Sequence, residues 1–201
     1  MIAVIAGTGG QVTVRPVPPN ATTAGRRRPG AVDAGAAGAT GASVGLAFLL
    51  GRPLGPAGMT PLDALQAVEW VTGAVELVDG DRTSDVVLGS VARRPAGLDL
   101  ALLGVTVEKD GQMATTAAGA GILGHPARAL VQAARTAAEG TGGGAPLVAG
   151  TVVYVGRLVD VVPLEPGASV VATFNRLGTV AAVADRTTGG RSSAGPEGTP
   201  R

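Results

Sequence analysis

Apolar and polar positions alternate in short runs along most of this chain, and only two stretches hold a helical period. A period of two predicts strands, because successive strand side chains face opposite ways. Ile2–Ala6 and Gln11–Arg15 read as two strands around Gly7-Thr8-Gly9-Gly10, a hairpin. Ser43–Leu50 is an apolar strand, and Ala74–Asp79, Val86–Val91, Gly104–Val107 and Gln112–Thr116 are further strands. Asp79-Gly80-Asp81 is a turn, and Glu108-Lys109-Asp110-Gly111-Gln112 is a hairpin turn with Asp-Gly at its centre. Near the C-terminus Thr151–Val155, Leu158–Val162, Ser169–Thr173 and Thr179–Val183 follow at close spacing. Glu165-Pro166-Gly167 and Asn175–Gly178 are the turns among them.

The first helix is expected over Pro61–Val71, with Thr60 as N-cap, Pro61 at the first position and Gly73 as the stop. The second is expected over Pro126–Glu139, ended by Gly140. Many strands, two helices and no βαβ alternation imply an α+β fold with a rolled or barrel-like sheet. The chain divides into an N-terminal hairpin (1–15), a Gly/Pro/Arg-rich loop or linker (16–42), a main domain (43–184) and a disordered tail (185–201).

Composition narrows the chemistry. The 201 residues are 45% hydrophobic but only 2% aromatic, so Val, Leu and Ala must build the core. A formal charge of +1 gives no basic field for nucleic acid, and Arg26-Arg27-Arg28, between Gly25 and Pro29, reads as a solvated loop. There is no cysteine, and His125 is the only histidine, which argues against zinc and leaves His125 as a helix-start cap or bridge. No nucleophile-elbow motif accompanies it. Gly7-Thr8-Gly9-Gly10 is followed by a strand pattern, which favours a turn over a dinucleotide loop. The apolar run at the N-terminus is short and lacks a positive flank, so a cytoplasmic protein without a membrane partner is expected.

Glu76 is the most informative residue. In Ala74-Val75-Glu76-Leu77-Val78 it shares a face with Ala74 and Val78, on a strand apolar on both sides. A half-buried carboxylate there must meet a cation, a metal or hydrogen-bond donors. Arg82 and Arg93 are candidate ion-pair partners, and acid/base chemistry is the other reading.

The strings RPAGLDL (Arg94–Leu100) and LGHP (Leu123–Pro126) are specific. With VGLAFLLGRPL (Val44–Leu54), AVELVD (Ala74–Asp79), GTVVYVG (Gly150–Gly156), LEPGASVVATF (Leu164–Phe174) and LGTV (Leu177–Val180), in this order, the chain from Ser43 to Val183 resembles the 2-keto-4-pentenoate hydratase / 4-oxalocrotonate decarboxylase branch of the fumarylacetoacetate hydrolase superfamily. The resemblance implies that superfamily's rolled mixed β-sheet with two main helices. It also implies enol and 2-oxo acid chemistry on a divalent cation held by three glutamates. The third glutamate matches Glu76, but the paired first two fall on Ser43 and Gly45. No metal or other cofactor is therefore expected, with magnesium or manganese entering only if Glu76 is joined by unrecognised ligands such as Asp79, Asp81 or Asp85. The family's paired serines fall on Thr115 and Thr116, which with Ser43 are the expected substrate-binding residues; Glu76 is the expected catalytic one.

Two functions of different class follow. One is a metal-independent hydratase- or decarboxylase-like enzyme for a 2-oxo, enol or polyene small molecule, reused for a biosynthetic isomerisation or cyclisation. The other is a catalytically inactive subunit of a hydratase/decarboxylase-type oligomer. A homo-oligomer is expected under either.

Overall fold

The computed structural model describes residues 3–7, 10–16, 22–23, 35–36, 38–55, 59–79, 82–139 and 146–186, of which residues before 38, residues 82–84 and residue 139 are described by their backbone alone. The expected Arg26–Arg28 loop, most of the 16–42 segment, residues 80–81, the 142–144 connector and residues 187–201 lie outside the described residues.

Two sheets and two helices make up the architecture. The strands are β1 (Ala3–Gly7), β2 (Gly10–Pro16), β3 (Thr22–Thr23), β4 (Gly35–Ala36), β5 (Gly41–Leu50), β6 (Val68–Asp79), β7 (Arg82–Leu88), β8 (Gly104–Lys109), β9 (Gln112–Ala118), β10 (Val152–Val155), β11 (Val162–Pro163), β12 (Ser169–Phe174) and β13 (Gly178–Ala184); the helices are α1 (Pro61–Ala67) and α2 (Pro126–Glu139). The first sheet runs β1-β2-β10-β5-β6-β7-β3, with β11 also on β5, and the second runs β4-β13-β12-β8-β9. Pairing is antiparallel except at β3–β7 and β4–β13. The fold is α+β, as the sequence pattern implies; among the described residues both sheets are open and no closed barrel forms.

Local chemistry explains several boundaries. α1 starts in a reciprocal capping box: Thr60 Oγ1 accepts from the Asp63 N–H at 3.2 Å, and the Thr60 N–H donates to Asp63 Oδ2 at 2.9 Å. α2 starts at Pro126, with His125 Nδ1 accepting the Ala127 N–H at 3.1 Å. The expected cap by the lone histidine is present. Asp110 (φ 49°) and Gly111 (φ 77°) form the two-residue turn between β8 and β9, with Lys109 opposite Gln112.

Three expected boundaries are corrected. α1 ends at Ala67, not Val71, and β6 begins at Val68. The β-branched Val68, Val71 and Thr72 pair with β5 at Leu50, Phe48 and Ala47, and that long-range ladder outcompetes the local helical period. Gly73 is therefore no helix stop. It lies in mid-strand opposite Leu46, where the Phe174 ring of β12 lies against its backbone in the space a Cβ would need. β7 ends at Leu88 rather than running to Val91, and of the expected Leu158–Val162 strand only Val162 is strand, paired to β5 together with Pro163.

The core sits on one face of the first sheet. Val44, Leu46, Phe48 and Leu50 of β5 and Val71, Val75 and Leu77 of β6 pack in one cluster with Leu130 and Ala134 of α2 and with Val170, Ala172, Phe174 and Val180 of the second sheet. Both helices and the second sheet thus lie over that face. The opposite face carries a smaller buried cluster, Ala47, Ala74, Val86 and Tyr154.

Candidate functional site

Two residues of the smaller cluster adjoin Glu76: Ala74 two positions before it on β6, and Val86 opposite it on β7. In the β5–β6 register Ser43 is opposite Glu76, Gly45 opposite Ala74 and Ala47 opposite Thr72. Directly opposed residues put their side chains on the same face. On the other side of β6, Val86 and Leu88 face Glu76 and Ala74, and Tyr154 of β10 faces Ala47 of β5. Glu76 and Ser43 therefore emerge on the face away from the main core, each only 2% exposed. The half-buried position expected for Glu76 is in fact a fully buried one. Of the expected ion-pair partners, Arg93 is exposed and its Nε donates to the Arg176 carbonyl at 2.7 Å, and the Arg82 side chain lies outside the described atoms.

Ser43 is held from the β10 side. The Tyr154 hydroxyl donates to the Ser43 carbonyl at 2.8 Å and lies 3.1 Å from Ser43 Oγ, which also accepts the Arg157 N–H at 3.2 Å. A tyrosine has one proton to give, so with that proton on the carbonyl the Ser43 hydroxyl donates to the phenol oxygen. Tyr154 is fully buried. Its ring is wedged between two glycines: a Cβ on Gly45 would lie 2.9 Å from the ring and one on Gly156 2.6 Å from it. A Cβ on Gly45 would also meet the Val155 carbonyl oxygen and stand 2.7 Å from the Gly156 Cα. Gly45 is the close approach that lets the 154–157 segment cross β5.

The other expected binding residues lie elsewhere. Thr115 and Thr116 sit on β9, at the end of the second sheet's strand order, opposite Val107 and Thr106. Being adjacent on a strand they face opposite ways, and Thr115 is half-buried while Thr116 is exposed. The structure brings Ser43 and Glu76 into register and places neither threonine in register with them. Tyr154 is the residue that sequence reasoning passed over. The available signal was a single tyrosine in a Val-rich strand running into Gly156.

No family model matches the chain. It is 36% identical over 152 residues to 2-keto-4-pentenoate hydratase of Paraburkholderia xenovorans, covering 67% of this chain and 55% of that protein. It is 34% identical over 149 residues to a 4-oxalocrotonate decarboxylase of Pseudomonas, covering 67% and 57%. The chain thus spans a little over half the length of the curated relatives it matches. Among solved structures, 4-oxalocrotonate decarboxylase from Pseudomonas putida G7, complexed with magnesium and adipate, superposes with a TM-score of 0.66 at 25% identity over 72% of this chain and 60% of that one.

These neighbours overturn the expectation that no metal belongs here. The same decarboxylase is also solved with calcium and acetate, so divalent cations are part of the family's chemistry. The described residues of this chain fit such an ion poorly. Glu76 offers one carboxylate, Ser43 is already bonded to Tyr154 and Arg157, and among the described residues no group of three or more His, Cys, Asp or Glu could hold a metal ion. Among those residues, too, no helix is long and apolar enough to cross a membrane. By homology over about two thirds of its length, the chain belongs to the 2-keto-4-pentenoate hydratase / 4-oxalocrotonate decarboxylase family of the fumarylacetoacetate hydrolase superfamily.

Proposed function

We propose that this protein is a lyase-type enzyme of the hydratase or decarboxylase kind, acting on a small 2-oxo or enol acid with Glu76 as its proton-transferring group. The observation that carries this reading is a carboxylate 2% exposed at mid-strand, on the sheet face opposite the main core and directly across the strand pair from the buried Ser43. Buried carboxylates are costly, and they persist where charge or proton transfer needs them. The relatives named as hydratases and decarboxylases support the reaction class.

The chemistry asked of Glu76 is a proton relay. A 2-hydroxy-2,4-dienoate gives its enol proton to the carboxylate as the 2-oxo group forms, and the resulting carboxylic acid returns a proton to the terminal carbon. The product is the conjugated 2-oxo-3-enoate, which is open to water at its β-carbon. The same relay serves an isomerisation or a cyclisation of a longer polyene, the biosynthetic variant of this reading. The test is Glu76→Gln assayed on 2-keto-4-pentenoate: loss of turnover supports the reading, and unchanged turnover removes Glu76 from the chemistry.

One observation favours the second reading, an inactive partner subunit in a homo-oligomer or mixed assembly. The Tyr154 ring fills the space between Gly45 and Gly156, as a scaffold without a substrate pocket would allow. Fully folded protein with no turnover of any 2-oxo or enol acid, but with stable binding to an active hydratase, would establish it.

A further inference from the structure

The second sheet ends at β9: among the described residues no strand lies beyond it. Hydrogen-bond direction shows which of its backbone groups are left over. The Asn175 N–H bonds the Gly104 carbonyl from the β12 side, and the Gly119 N–H bonds the Leu103 carbonyl from the β9 side. Bonding direction alternates along an antiparallel strand, so Thr115 and Ala117 turn towards β8 while Thr116 and Ala118 turn their N–H and C=O groups outwards. The bulge in this pair lies near the turn, between Val107 and Glu108, and leaves Thr115–Ala118 in regular register opposite Val107 to Gly104. Proteins protect such edges with lysine, proline or other charged residues. Here Gln112 to Gly124 contains neither a charge nor a proline.

Two further observations say what completes the edge. Thr179, Thr173, Thr106 and Thr116 stand directly opposite one another in a row across β13, β12, β8 and β9. The Thr173 and Thr179 hydroxyls share a hydrogen bond of 3.2 Å, and the row breaks off at the exposed Thr116. Leu102 and Met113, 74% and 73% exposed, are the most exposed large hydrophobic residues described. They lie at opposite ends of the edge, Met113 beside the turn and Leu102 two residues before Gly104, the partner of Ala118. A twofold axis through Thr116 pairs β9 antiparallel with its own copy. It sets Thr116 against Thr116, continues the threonine row, and carries each Met113 to the Leu102 end of the other copy. No like charges meet, because this edge has none. We propose that β9 is the contact between two copies of this chain, whose five-stranded sheets join into one continuous sheet by antiparallel pairing centred on Thr116. The pairing assigns Thr116 to the interface and does not depend on the role of Glu76.

The chain has no cysteine, so one introduced thiol reports alone. In the proposed pair the two Thr116 Cα atoms stand about 5.5 Å apart, inside the roughly 4.4–6.8 Å that a disulfide spans. Diamide, which takes the two thiol hydrogens, therefore links Thr116→Cys into a covalent dimer on a non-reducing gel. Thr179→Cys, exposed at the far end of the same row, gives none. Wild-type chain sediments as a dimer, and Met113→Lys, which sets a charge at each end of the edge, weakens that dimer about tenfold or more. A wild-type chain that sediments as a monomer overturns the proposal. So does a folded Thr116→Cys chain that cross-links no better than Thr179→Cys, or a dimer that Met113→Lys leaves intact. Should Thr116→Cys not fold, a mixture of Ala114→Cys and Ala118→Cys chains takes its place, because the same axis sets position 114 of one copy opposite 118 of the other. Folded chains that then form no mixed disulfide overturn the pairing equally. Cross-linking and sedimentation are read without turnover, so neither outcome depends on whether the chain is active.

Discussion

Ser43 and Glu76 are register partners at the centre of the first sheet, and both are buried on the face that the helices and second sheet leave uncovered. The pairing puts a hydroxyl and a carboxylate side by side where every adjoining strand position is apolar or glycine. Glu76→Gln keeps the shape and removes the ionisable group. Under the proposed chemistry kcat/KM falls by about 10²–10⁴, the usual contribution of a positioned acid or base. Circular dichroism of the variant should be unchanged, so that the loss is assigned to chemistry.

Gly45 answers to a steric demand. A methyl group there would meet the Val155 carbonyl oxygen and the Gly156 Cα at 2.7 Å, and backbone atoms do not move aside cheaply. Gly45→Ala should destabilise by about 1–3 kcal/mol, the range for overpacking a tight interior. Gly104→Ala is the control, since nothing lies within 4 Å of its added carbon. Urea unfolding of both variants decides it: equal midpoints would show that β5 and the 154–157 segment are not pressed together.

The Thr60–Asp63 box gives α1 a pH dependence. Hydrogen bonds from the Thr60 side chain, and then from its backbone N–H, hold the Asp63 carboxyl below its ordinary value. A lowered folded-state pKa means that the stabilisation is complete above the ordinary aspartate range and is lost as pH falls through the lowered value. Asp63→Asn should flatten stability against pH at that acid end and leave the neutral-to-alkaline part of the profile parallel to wild type. An identical acid limb in the two proteins would show that the box contributes nothing.

His125 closes the first turn of α2 through its ring nitrogen. His125→Ala removes the acceptor for the Ala127 N–H and should cost about 0.5–2 kcal/mol, while His125→Asn, a good capping residue, should recover most of it. Thermal unfolding of the pair checks this, and an alanine variant as stable as wild type would rule the cap out.

The sequence determined the features that local chemistry controls. Thr60-Pro61 and Pro126 mark helix starts because a capping oxygen and a ring-fixed φ act within one turn. Asp110-Gly111 dictates a two-residue hairpin because both positions need positive φ. The strings RPAGLDL and LGHP carried the family, and alternation through Val75, Glu76 and Leu77 marked the carboxylate on its strand. Where a long-range pairing competed, only the tertiary structure could decide. Val68–Val71 continue the helical period, yet they become strand because β5 offers them a ladder. Ser43 and Glu76 are 33 positions apart, and Tyr154 lies a further 78 along the chain. No spacing rule connects them. Register across β5, β6 and β10 brings them together, and two glycines that look like ordinary strand interruptions in the sequence turn out to be the space in which a tyrosine is held.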